Sequence, residues 1–296
     1  LDNGKFLSIK IDGNPKQCYI NPREGAIGCF EEACRNVVCT GAKPIGMLDH
    51  LQFGNPNDPE IFWTFLESLK GLTDFAKDFE IPCVGGKVSL YNETSDGPIK
   101  PTPVIGVIGL IDKKPLKIQK INSGDSLIMI GDTKDELGGS EYSEYVHKFI
   151  GGKCPAVDFI ESKKNMNSVL DIIENELIKS AHDCSKGGLA IAISELCMIN
   201  QVGCNVSLEK IPGEKLDSDK ILFSESHSRY LLTIENKNLS KLEETLKKYG
   251  VSYSLIGEFT GDSICFSSDS KPIIDLSVDK AQKTWFNSLK EMVLHA

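Results

Sequence analysis

The segment PCVGGKVSLYNET, residues 82–94, decides the fold class because it joins a predicted helix to a predicted sheet. Before it, apolar residues recur at helical spacing over residues 60–79 and a proline precedes them, which predicts a long amphipathic helix. After it, the nearly continuous apolar run PVIGVIGLI, residues 103–111, predicts a central strand. Another helix, predicted at 24–40, leads into a short strand in the same way, so the pattern predicts an α+β (α/β) fold.

A glycine pair, a lysine and a hydroxyl stand together inside this segment. Gly85 and Gly86 allow backbone conformations that a side chain would forbid, so a turn there could bring main-chain N–H groups to an anion. Lys87 adds a positive charge, and Ser89 adds a hydroxyl that would share its face of a resumed strand. The combination suits phosphate binding, although a solvated lysine beside a structural turn is the plain alternative.

Length and composition limit the classes of protein to consider. A chain of 296 residues with 40% apolar and 25% charged residues can bury a large core, which excludes a disordered or fibrous protein. We expect two domains, residues 1–115 and 116–296, divided near a basic, less apolar stretch. The net charge of −9 argues against broad binding to nucleic acid or to a membrane surface, because both require a basic face.

The cysteines and the first residues suggest where the protein works. Ten cysteines form no CxxC pair, so neither a structural zinc site nor a thioredoxin-type motif is predicted. Most lie among apolar neighbours, as reduced buried thiols do, and a cytoplasmic protein is expected. The chain opens at Leu1 on a strand-like segment without a signal sequence, which favours a piece of a longer protein.

Two helix residues could ligate a metal ion. Glu32 and Asn36 are four residues apart on the predicted helix 24–40, so their side chains share one face. Carboxylate and amide oxygens are ligands that the hard cation Mg²⁺ accepts. A solvated polar face is the alternative interpretation of the same spacing.

Three aspartates stand where strands are predicted to end: Asp12, Asp49 and Asp183. Carboxylates at strand ends often line the clefts of α/β proteins, although Asp also favours turns for its own hydrogen bonds. Asp183 is the strongest candidate, because Ser185 and the glycine pair 187–188 follow it and open an apolar helix. The start of that helix could bind an anion, or Ser185 could simply cap it.

Two further segments carry polar residues. A second glycine pair, 138–139, also leads into a predicted helix, and the same reasoning applies to it. In FSESHSR, residues 223–229, Glu225 and Arg229 flank His227, and a surface ion pair at the start of a strand is the simplest interpretation. The chain contains no GxSxG elbow, and nucleophilic catalysis is not predicted.

Six motifs, in their order and spacing, together resemble the C-terminal half of the synthetase subunit in the phosphoribosylformylglycinamidine synthase family. They are EEACRNVVCTGAKPIGMLDHLQFGNPNDPEIFW (31–63), PCVGGKVSLYNET (82–94), IKPTPVIGVIGLI (99–111), LGGSEY (137–142), SAHDCSKGGLAIA (180–192) and LFSESHSR (222–229). The resemblance covers nearly the whole chain. It implies a PurM-like (AIR synthase-related) fold of two domains, in which the N-terminal sheet pairs with another sheet into a barrel and the C-terminal domain is α/β.

The resemblance also implies an enzyme of purine biosynthesis. Such a ligase uses ATP to activate the amide oxygen of formylglycinamide ribonucleotide, and ammonia from a glutaminase then displaces phosphate to give the amidine. The protein acts there through positioning and charge stabilisation, with Mg²⁺ screening the phosphates. The residues carried over by the resemblance are Asp49, Gly86, Lys87 and Ser185 for ATP, Ser89 for the ribonucleotide, and Asp12, Glu32, Asn36 and Asp183 for Mg²⁺.

Two features of the chain depart from the pattern that the resemblance implies. Lys87 stands where the short form of the family has an asparagine that ligates magnesium; an ammonium group cannot ligate a cation, so we expect Lys87 to contact phosphate. The catalytic histidines of the family belong to the half that this chain does not match, and His50, His182 and His227 do not correspond to them. We therefore predict no catalytic residue here, and we expect the chain alone to bind nucleotide without completing turnover.

The resemblance implies several partners. These are the missing N-terminal half of the same subunit, a glutaminase subunit and a small bridging subunit, with a homodimer as another way to cover the exposed sheet. Two alternatives stay open: a non-catalytic nucleotide-binding module that organises a subunit interface, and a different ATP-dependent synthetase or kinase of the same superfamily. A bound nucleotide that never exchanges would favour the module.

Overall fold

The computed structural model describes residues 1–294, and the first 111 of these build a four-stranded sheet with its helices. Asn21 and Asp58 cap the two long helices, each of which has proline as its first residue, as helix starts commonly do. The helices predicted at 24–40 and 60–79 are thereby confirmed. The elements are β1 (Phe6–Asp12), α1 (Pro15–Ile20), α2 (Pro22–Val38), β2 (Lys43–Gln52), α3 (Pro59–Asp78), β3 (Cys83–Ser89), β4 (Glu93–Thr94), β5 (Gly97–Pro98) and β6 (Thr102–Ile111).

The remaining described residues build a seven-stranded sheet and six helices. The elements are β7 (Ser126–Ile130), α4 (Glu141–His147), α5 (Phe159–Glu174), β8 (Ser180–Asp183), α6 (Gly188–Asn200), β9 (Cys204–Ser207), α7 (Ser218–Phe223), β10 (Tyr230–Ile234), α8 (Leu239–Tyr249), β11 (Tyr253–Phe259), β12 (Ser263–Ser268), β13 (Lys271–Ser277) and α9 (Val278–Leu294), with short 3₁₀ turns at Leu208–Lys210 and Asn236–Asn238. The strand order is β13-β12-β9-β11-β7-β10-β8. A mixed α/β architecture with two main sheets, beside the small two-stranded sheet β4-β5, confirms the predicted fold class.

Strand register aligns several polar residues across the first sheet, whose order is β1-β6-β2-β3. Asp12 and Asp49 both lie opposite Ile105 of β6, one on each side, and Asp49 in turn lies opposite Gly86 of β3. Directly opposite residues point to the same face of a sheet. Because Ile105 is fully buried against the helices, Asp12 and Asp49 also point to the helix side.

The other face of the first sheet is apolar and exposed. Leu7, Ile9 and Ile11 of β1 alternate with residues that face the helices, and Leu48 of β2 joins them on the outer side. Ile9 is 66% exposed and Ile11 is 65% exposed, and nothing within residues 1–294 covers them. A contiguous apolar sheet face of this kind marks an interaction surface.

One hydrophobic core joins both parts of the chain. Helix α2 is buried over nearly its whole length, between the first sheet and the helices and strands of the second part. Ile128 and Ile130 of β7 face this shared core, whereas Leu127 and Met129 face a second core under α6. The division that we expect near residue 116 stays a prediction.

Two expectations about secondary structure need correction. The apolar spacing of residues 168–180 predicts a helix there, but α5 runs from Phe159 to Glu174, because Asp158 caps it by accepting the N–H groups of Ile160 and Glu161. The β12–β13 hairpin was not predicted, since its strands lack a strong apolar run.

None of the helices within residues 1–294 combines the length and apolar composition that a membrane crossing needs.

Candidate functional site

The glycine pair of the opening segment does not form a turn. Gly85 and Gly86 lie inside strand β3, which pairs in parallel with β2 with a register shift between Cys83 and Gly85, and neither glycine has a positive φ. The expected backbone freedom is therefore not the reason for glycine here. A Cβ on Gly86 would lie 2.3 Å from Oδ1 of Asp49, so glycine lets the carboxylate lie against the backbone of β3.

The sheet separates the residues expected to bind ATP and substrate. Alternation along β3 places Gly86 on the helix side with Asp49, whereas Lys87 and Ser89 point to the exposed outer face. Lys87 lies opposite His50 on that face. Asp49 and Gly86 therefore do not share a surface with Lys87 and Ser89, although all four lie at the same edge of the sheet.

We expect Gly86→Ala to weaken binding of the predicted nucleotide about 5- to 10-fold while the free energy of unfolding changes little. The added methyl group would displace only the end of the Asp49 side chain, which is a cheap movement. Gly85→Ala is the matched control, because its Cβ would meet Leu48 Cδ2 at an ordinary 3.5 Å. Calorimetric titration with MgATP and urea unfolding measure the two effects. If the two variants bound MgATP with equal affinity, Asp49 would not be part of the binding site.

A second cluster brings together four residues from three elements. Asp12 ends β1, Glu32 and Asn36 lie on α2, and Asp183 ends β8. The carboxyl groups of Asp12 and Glu32 lie within hydrogen-bonding reach, and Asn36 Nδ2 donates to Asp183 Oδ2 at 3.1 Å. The four residues predicted as Mg²⁺ ligands therefore converge at the junction of the two sheets, rather than forming a solvated polar face.

A buried arginine lies beneath these side chains. The Arg35 guanidinium pairs with Glu31 on the same helix and lies 3.8 Å from Glu32 Oε2 and 3.7 Å from Asp183 Oδ2. It also donates to the carbonyl oxygen of Cys184 at 3.1 Å. Arg35 thus links α2 to the strand end that carries Asp183, and it offsets part of the negative charge of the cluster.

The polar network continues on the other side of Glu31. Ser162 and Ser228 donate hydroxyl hydrogen bonds to Glu31 Oε1, at 2.9 and 3.2 Å. His227 Nδ1 lies 3.4 Å from the Arg35 guanidinium; burial, with Arg35 adding to it, lowers the pKa of His227 well below its usual value. A neutral imidazole is therefore expected in this contact.

The donor set of the cluster fits a divalent cation. Burial raises the pKa of Glu32 well above its usual value, and the negative charges of Asp12 and Asp183 add to that shift, whereas Arg35 opposes it. Within residues 1–294, no three His, Cys, Asp or Glu side chains stand close enough to enclose a metal by themselves. Mg²⁺ characteristically takes one or two carboxylates and completes its shell with water and phosphate oxygens, so an incomplete protein shell of oxygen donors suits it.

The segment after Asp183 differs from its expected form. Gly187, in the left-handed region with φ +81°, is the N-cap of α6, and Ser185 is not. The Gly187 N–H donates to Glu225 Oε1 at 2.8 Å, so a carboxylate of the chain itself occupies this helix start. Lys186 Nζ donates to the carbonyl oxygen of Gly13 at 3.1 Å and ties the segment to the turn after Asp12.

The surface ion pair expected between Glu225 and Arg229 is wrong. Both side chains are buried, and Glu225 accepts backbone N–H groups instead of pairing with Arg229. Arg229 donates to the carbonyl oxygens of Ser226 and Ser224, which hold the backbone of this segment. Burial raises the pKa of Glu225 to about 7, against the opposing effect of its two N–H donors.

Several residues of this site were not singled out from the sequence. Arg35, Glu31 and Lys186 look like ordinary charged residues of a helix surface and a loop. The available signal was the run GAIGCF, residues 25–30, whose small and apolar residues span more than one full turn and therefore lie on every side of that part of α2. A helix without a broad polar face buries its charged side chains, and buried charged side chains are almost always paired with one another.

Comparison with known proteins agrees with this architecture. The model "AIR synthase related protein, N-terminal domain" matches residues 1–111, and the C-terminal domain model of the same family matches residues 122–267. The chain is 39% identical over 295 residues to phosphoribosylformylglycinamidine synthase subunit PurL of Methanocaldococcus jannaschii, covering 97% of this chain and 40% of that protein. It is 37% identical over 292 residues to the PurL of Pyrococcus abyssi, with 98% and 40% covered.

Solved structures show the same fold at lower identity. PurL of T. maritima complexed with FGAR superposes with a TM-score of 0.83 at 19% identity, over 95% of this chain and 46% of that chain. The hydrogenase maturation protein HypE superposes with a TM-score of 0.66 at 14% identity, over 92% of this chain and 88% of that one. The chain thus spans about two fifths of the length of the PurL relatives that it matches. Because the two matched models together take in most of the sequence, the chain belongs to the AIR synthase related family.

Proposed function

We propose that this chain is the C-terminal half of an ATP-dependent carbon–nitrogen ligase of purine biosynthesis, phosphoribosylformylglycinamidine synthase. The reaction converts formylglycinamide ribonucleotide and ammonia, derived from glutamine, into the corresponding amidine. The single observation that carries the proposal is the convergence of Asp12, Glu32, Asn36 and Asp183 in a chain 39% identical to a PurL subunit. T. maritima PurL has been solved with ATP and with FGAR, which supports the choice of ligands.

The cluster at the junction of the sheets is proposed to hold Mg²⁺ and the phosphates of a nucleotide. Asp12 and Glu32, whose carboxyl groups lie together, would supply oxygens to Mg²⁺, with phosphate and water completing its shell. Asp183 would supply a further carboxylate oxygen beside them, and Asn36 its amide oxygen, since the Asn36 Nδ2 group already donates to Asp183. A bound Mg²⁺ would screen phosphate charge. Ser185, two residues beyond Asp183, would offer its hydroxyl to the same phosphates.

The edge formed by β2 and β3 is proposed as part of a second nucleotide and substrate site. Lys87, Ser89 and the exposed apolar residues share the outer face of the first sheet. Covering that face would bury the apolar side chains and bring a second surface to Lys87 and Ser89. The N-terminal half of the longer subunit is the proposed cover, because the PurL relatives are more than twice as long as this chain.

Other partners follow from the same family relationship. A structure described as PurLQS of T. maritima supports a glutaminase subunit and a small bridging subunit as further partners. A homodimer through the same sheet face is the alternative for the chain by itself. The ten cysteines are all free thiols, most of them buried, and on that ground we propose a cytoplasmic protein.

A second candidate function is a nucleotide-binding module without turnover. The cluster lies between the two parts of the chain, and Arg35 and Lys186 tie its elements together, so a nucleotide held there would also hold the parts together. The catalytic histidines of the family belong to the half not matched here. A nucleotide that copurifies and never exchanges would favour this module, whereas exchange on the time scale of turnover favours the ligase.

Asp183→Ala tests the proposed function. We expect it to weaken binding of Mg²⁺-nucleotide by about 1–3 kcal/mol, roughly 5- to 150-fold, because a charge-assisted ligand contact is lost. Asp279→Ala is the matched control, since Asp279 is exposed on α9 and pairs only with Lys283 of the same helix. Calorimetric titration with MgATP and MgADP measures both variants. If Asp183→Ala bound MgATP and MgADP with wild-type affinity, the cluster would not be the nucleotide site.

A further inference from the structure

Two glycine-containing segments of the chain meet at one carboxylate oxygen. Glu225 Oε1 accepts the N–H of Gly187 at 2.8 Å and the N–H of Glu141 at 2.8 Å. Gly187 caps α6 in the segment that follows Asp183, and Glu141 is the first residue of α4, separated from the glycine pair 138–139 only by the N-cap Ser140. The two loops that were each predicted to bind an anion are therefore joined through one carboxyl group of the chain itself.

The backbone around Glu225 packs directly against the same segment. A Cβ on Gly188 would lie 2.7 Å from the carbonyl oxygen of Ser224, so only glycine fits where these two segments of the backbone cross. The N–H of Glu225 itself donates to the carbonyl oxygen of Glu136 at 3.1 Å. Glu225 is thus held by its own main chain, and its carboxylate is a fixed point rather than a mobile surface group.

Further contacts connect these segments back to β1, next to the candidate nucleotide site, in a closed ring of contacts. Lys16 of α1 lies 2.7 Å from both Glu141 and Glu144 of α4. Lys186 reaches back to the carbonyl oxygen of Gly13 beside Asp12. Starting from β1, the ring therefore runs through α1, α4, Glu225 and the Gly187 segment, and returns to β1.

Asp183 and Ser185 lie in the same segment as Gly187, directly before the part of the ring that Glu225 anchors. Cys184, between them, donates its N–H to the carbonyl oxygen of Arg229 at 3.2 Å and accepts from Arg35 through its own carbonyl oxygen. On the other side of Ser185, the Gly187 N–H is anchored on Glu225, and the Gly188 N–H donates to the Ser185 carbonyl oxygen at 2.9 Å. The position of the Ser185 hydroxyl relative to Asp183 depends on both anchors.

We propose that Glu225 is a positioning residue, whose carboxylate fixes the segment 185–187 so that Ser185 and Asp183 face one nucleotide together. The nucleotide part of this inference rests on the proposed function. Because Glu225 already fills the start of α6, the phosphates would be met by the Ser185 hydroxyl and the metal rather than by the Gly187 amide. Through its contact with the Glu141 N–H, Glu225 would also fix the position of the loop at 137–140.

Two substitutions and a control separate positioning from general stability. Glu225→Ala removes the acceptor, whereas Glu225→Gln keeps an oxygen that can accept both N–H groups. Asp125→Ala is the control, because it breaks the buried pair with Lys179 at the opposite end of β8 from Asp183. If Glu225→Ala does not fold, Glu225→Asp carries the test, since it keeps the charge but is too short to reach both amides.

The first readout is amide hydrogen exchange at Gly187 and Glu141 in the full chain, without ligand. We expect Glu225→Ala to exchange at least about tenfold faster than wild type at both amides, and Glu225→Gln to stay within about threefold. Asp125→Ala should leave these two amides unchanged. Wild-type protection in Glu225→Ala would overturn the proposal whatever the nucleotide does.

The second readout is the Kd for MgATP. We expect Glu225→Ala to weaken binding at least about tenfold, Glu225→Gln to stay within about threefold, and Asp125→Ala to bind as wild type does. If Glu225→Ala and Asp125→Ala weakened MgATP binding equally, Glu225 would contribute only to general stability, and the positioning role would be overturned. Absence of MgATP binding in the wild type would instead contradict the proposed function, and the exchange result would then decide whether Glu225 fixes the segment.

Discussion

Replacing Arg35 with methionine is expected to lower the free energy of unfolding by about 3–5 kcal/mol, because a buried carboxylate would lose its cation. Arg35 is 1% exposed and Glu31 is fully buried, and the two pair directly on α2. Burial raises the pKa of Glu31, and Arg35 is the main group that opposes this shift. Urea unfolding at neutral pH measures the loss. A change below about 1 kcal/mol would show that Glu31 does not depend on Arg35 for its charge.

Two controls make the Arg35 result specific. The double variant Arg35→Met with Glu31→Met removes both charges, and we expect it to recover much of the lost stability, since apolar replacement of a buried ion pair is often neutral. Arg23→Ala breaks an exposed pair with Asp74 at the start of the same helix and should change stability little. A double variant less stable than Arg35→Met alone would contradict this explanation. It would show that Glu31 stabilises the fold mainly through its hydrogen bonds with Ser162 and Ser228.

Replacing Glu32 with glutamine is expected to have opposite effects on stability and on binding. Burial raises the pKa of Glu32, as do Asp12 and Asp183 beside it, so the folded protein binds a proton there more tightly than the unfolded chain does. The contribution of Glu32 to stability is therefore complete below its unfolded pKa and is lost as the pH rises through its folded pKa. Glutamine stays neutral, so the metal-free variant should become more stable than wild type as the pH rises. Its affinity for Mg²⁺-nucleotide should fall by about 1–3 kcal/mol.

Urea unfolding of both proteins between pH 5 and about pH 8, first with chelator and then with Mg²⁺ and nucleotide, measures both effects. Glu244→Gln, on the exposed side of α8, is the matched control for loss of one negative charge. We expect the order of stability to reverse when Mg²⁺ and nucleotide are added, because only wild type gains from them. A stability difference independent of pH would contradict the buried charge on Glu32, and no reversal would contradict its role as a ligand.

The parts of the fold that could be predicted are those that repeat a period over many residues. Helices α2 and α3 and strand β6 follow apolar patterns of nine residues or more, and the structure confirms them. The start of α5 was placed too late because its first turns are polar, and only its Asp158 cap marks the true start. Such polar turns acquire their helical role from packing on a neighbour, which local pattern does not encode.

The candidate site was predictable to a different degree. The four residues expected to ligate Mg²⁺ come from three distant segments, and it was the resemblance to a family, with the helical spacing of Glu32 and Asn36, that placed them in one group. Their convergence is a property of the structure, whereas their role as ligands stays a prediction. Gly86 was chosen for backbone freedom, but close approach to Asp49 is the reason for glycine there.

The amino-acid sequence by itself determined the long helices α2 and α3, the strand β6 and the family to which the chain belongs. These follow from local periodicity, composition and motif order, which need no knowledge of distant contacts. Only the tertiary structure decided that Arg35 is buried beneath the carboxylates, that Lys87 and Asp49 lie on opposite faces of one sheet, and that Glu225 joins two loops. The physical reason is that burial sets the cost of a charge, and burial depends on which distant segments pack around it.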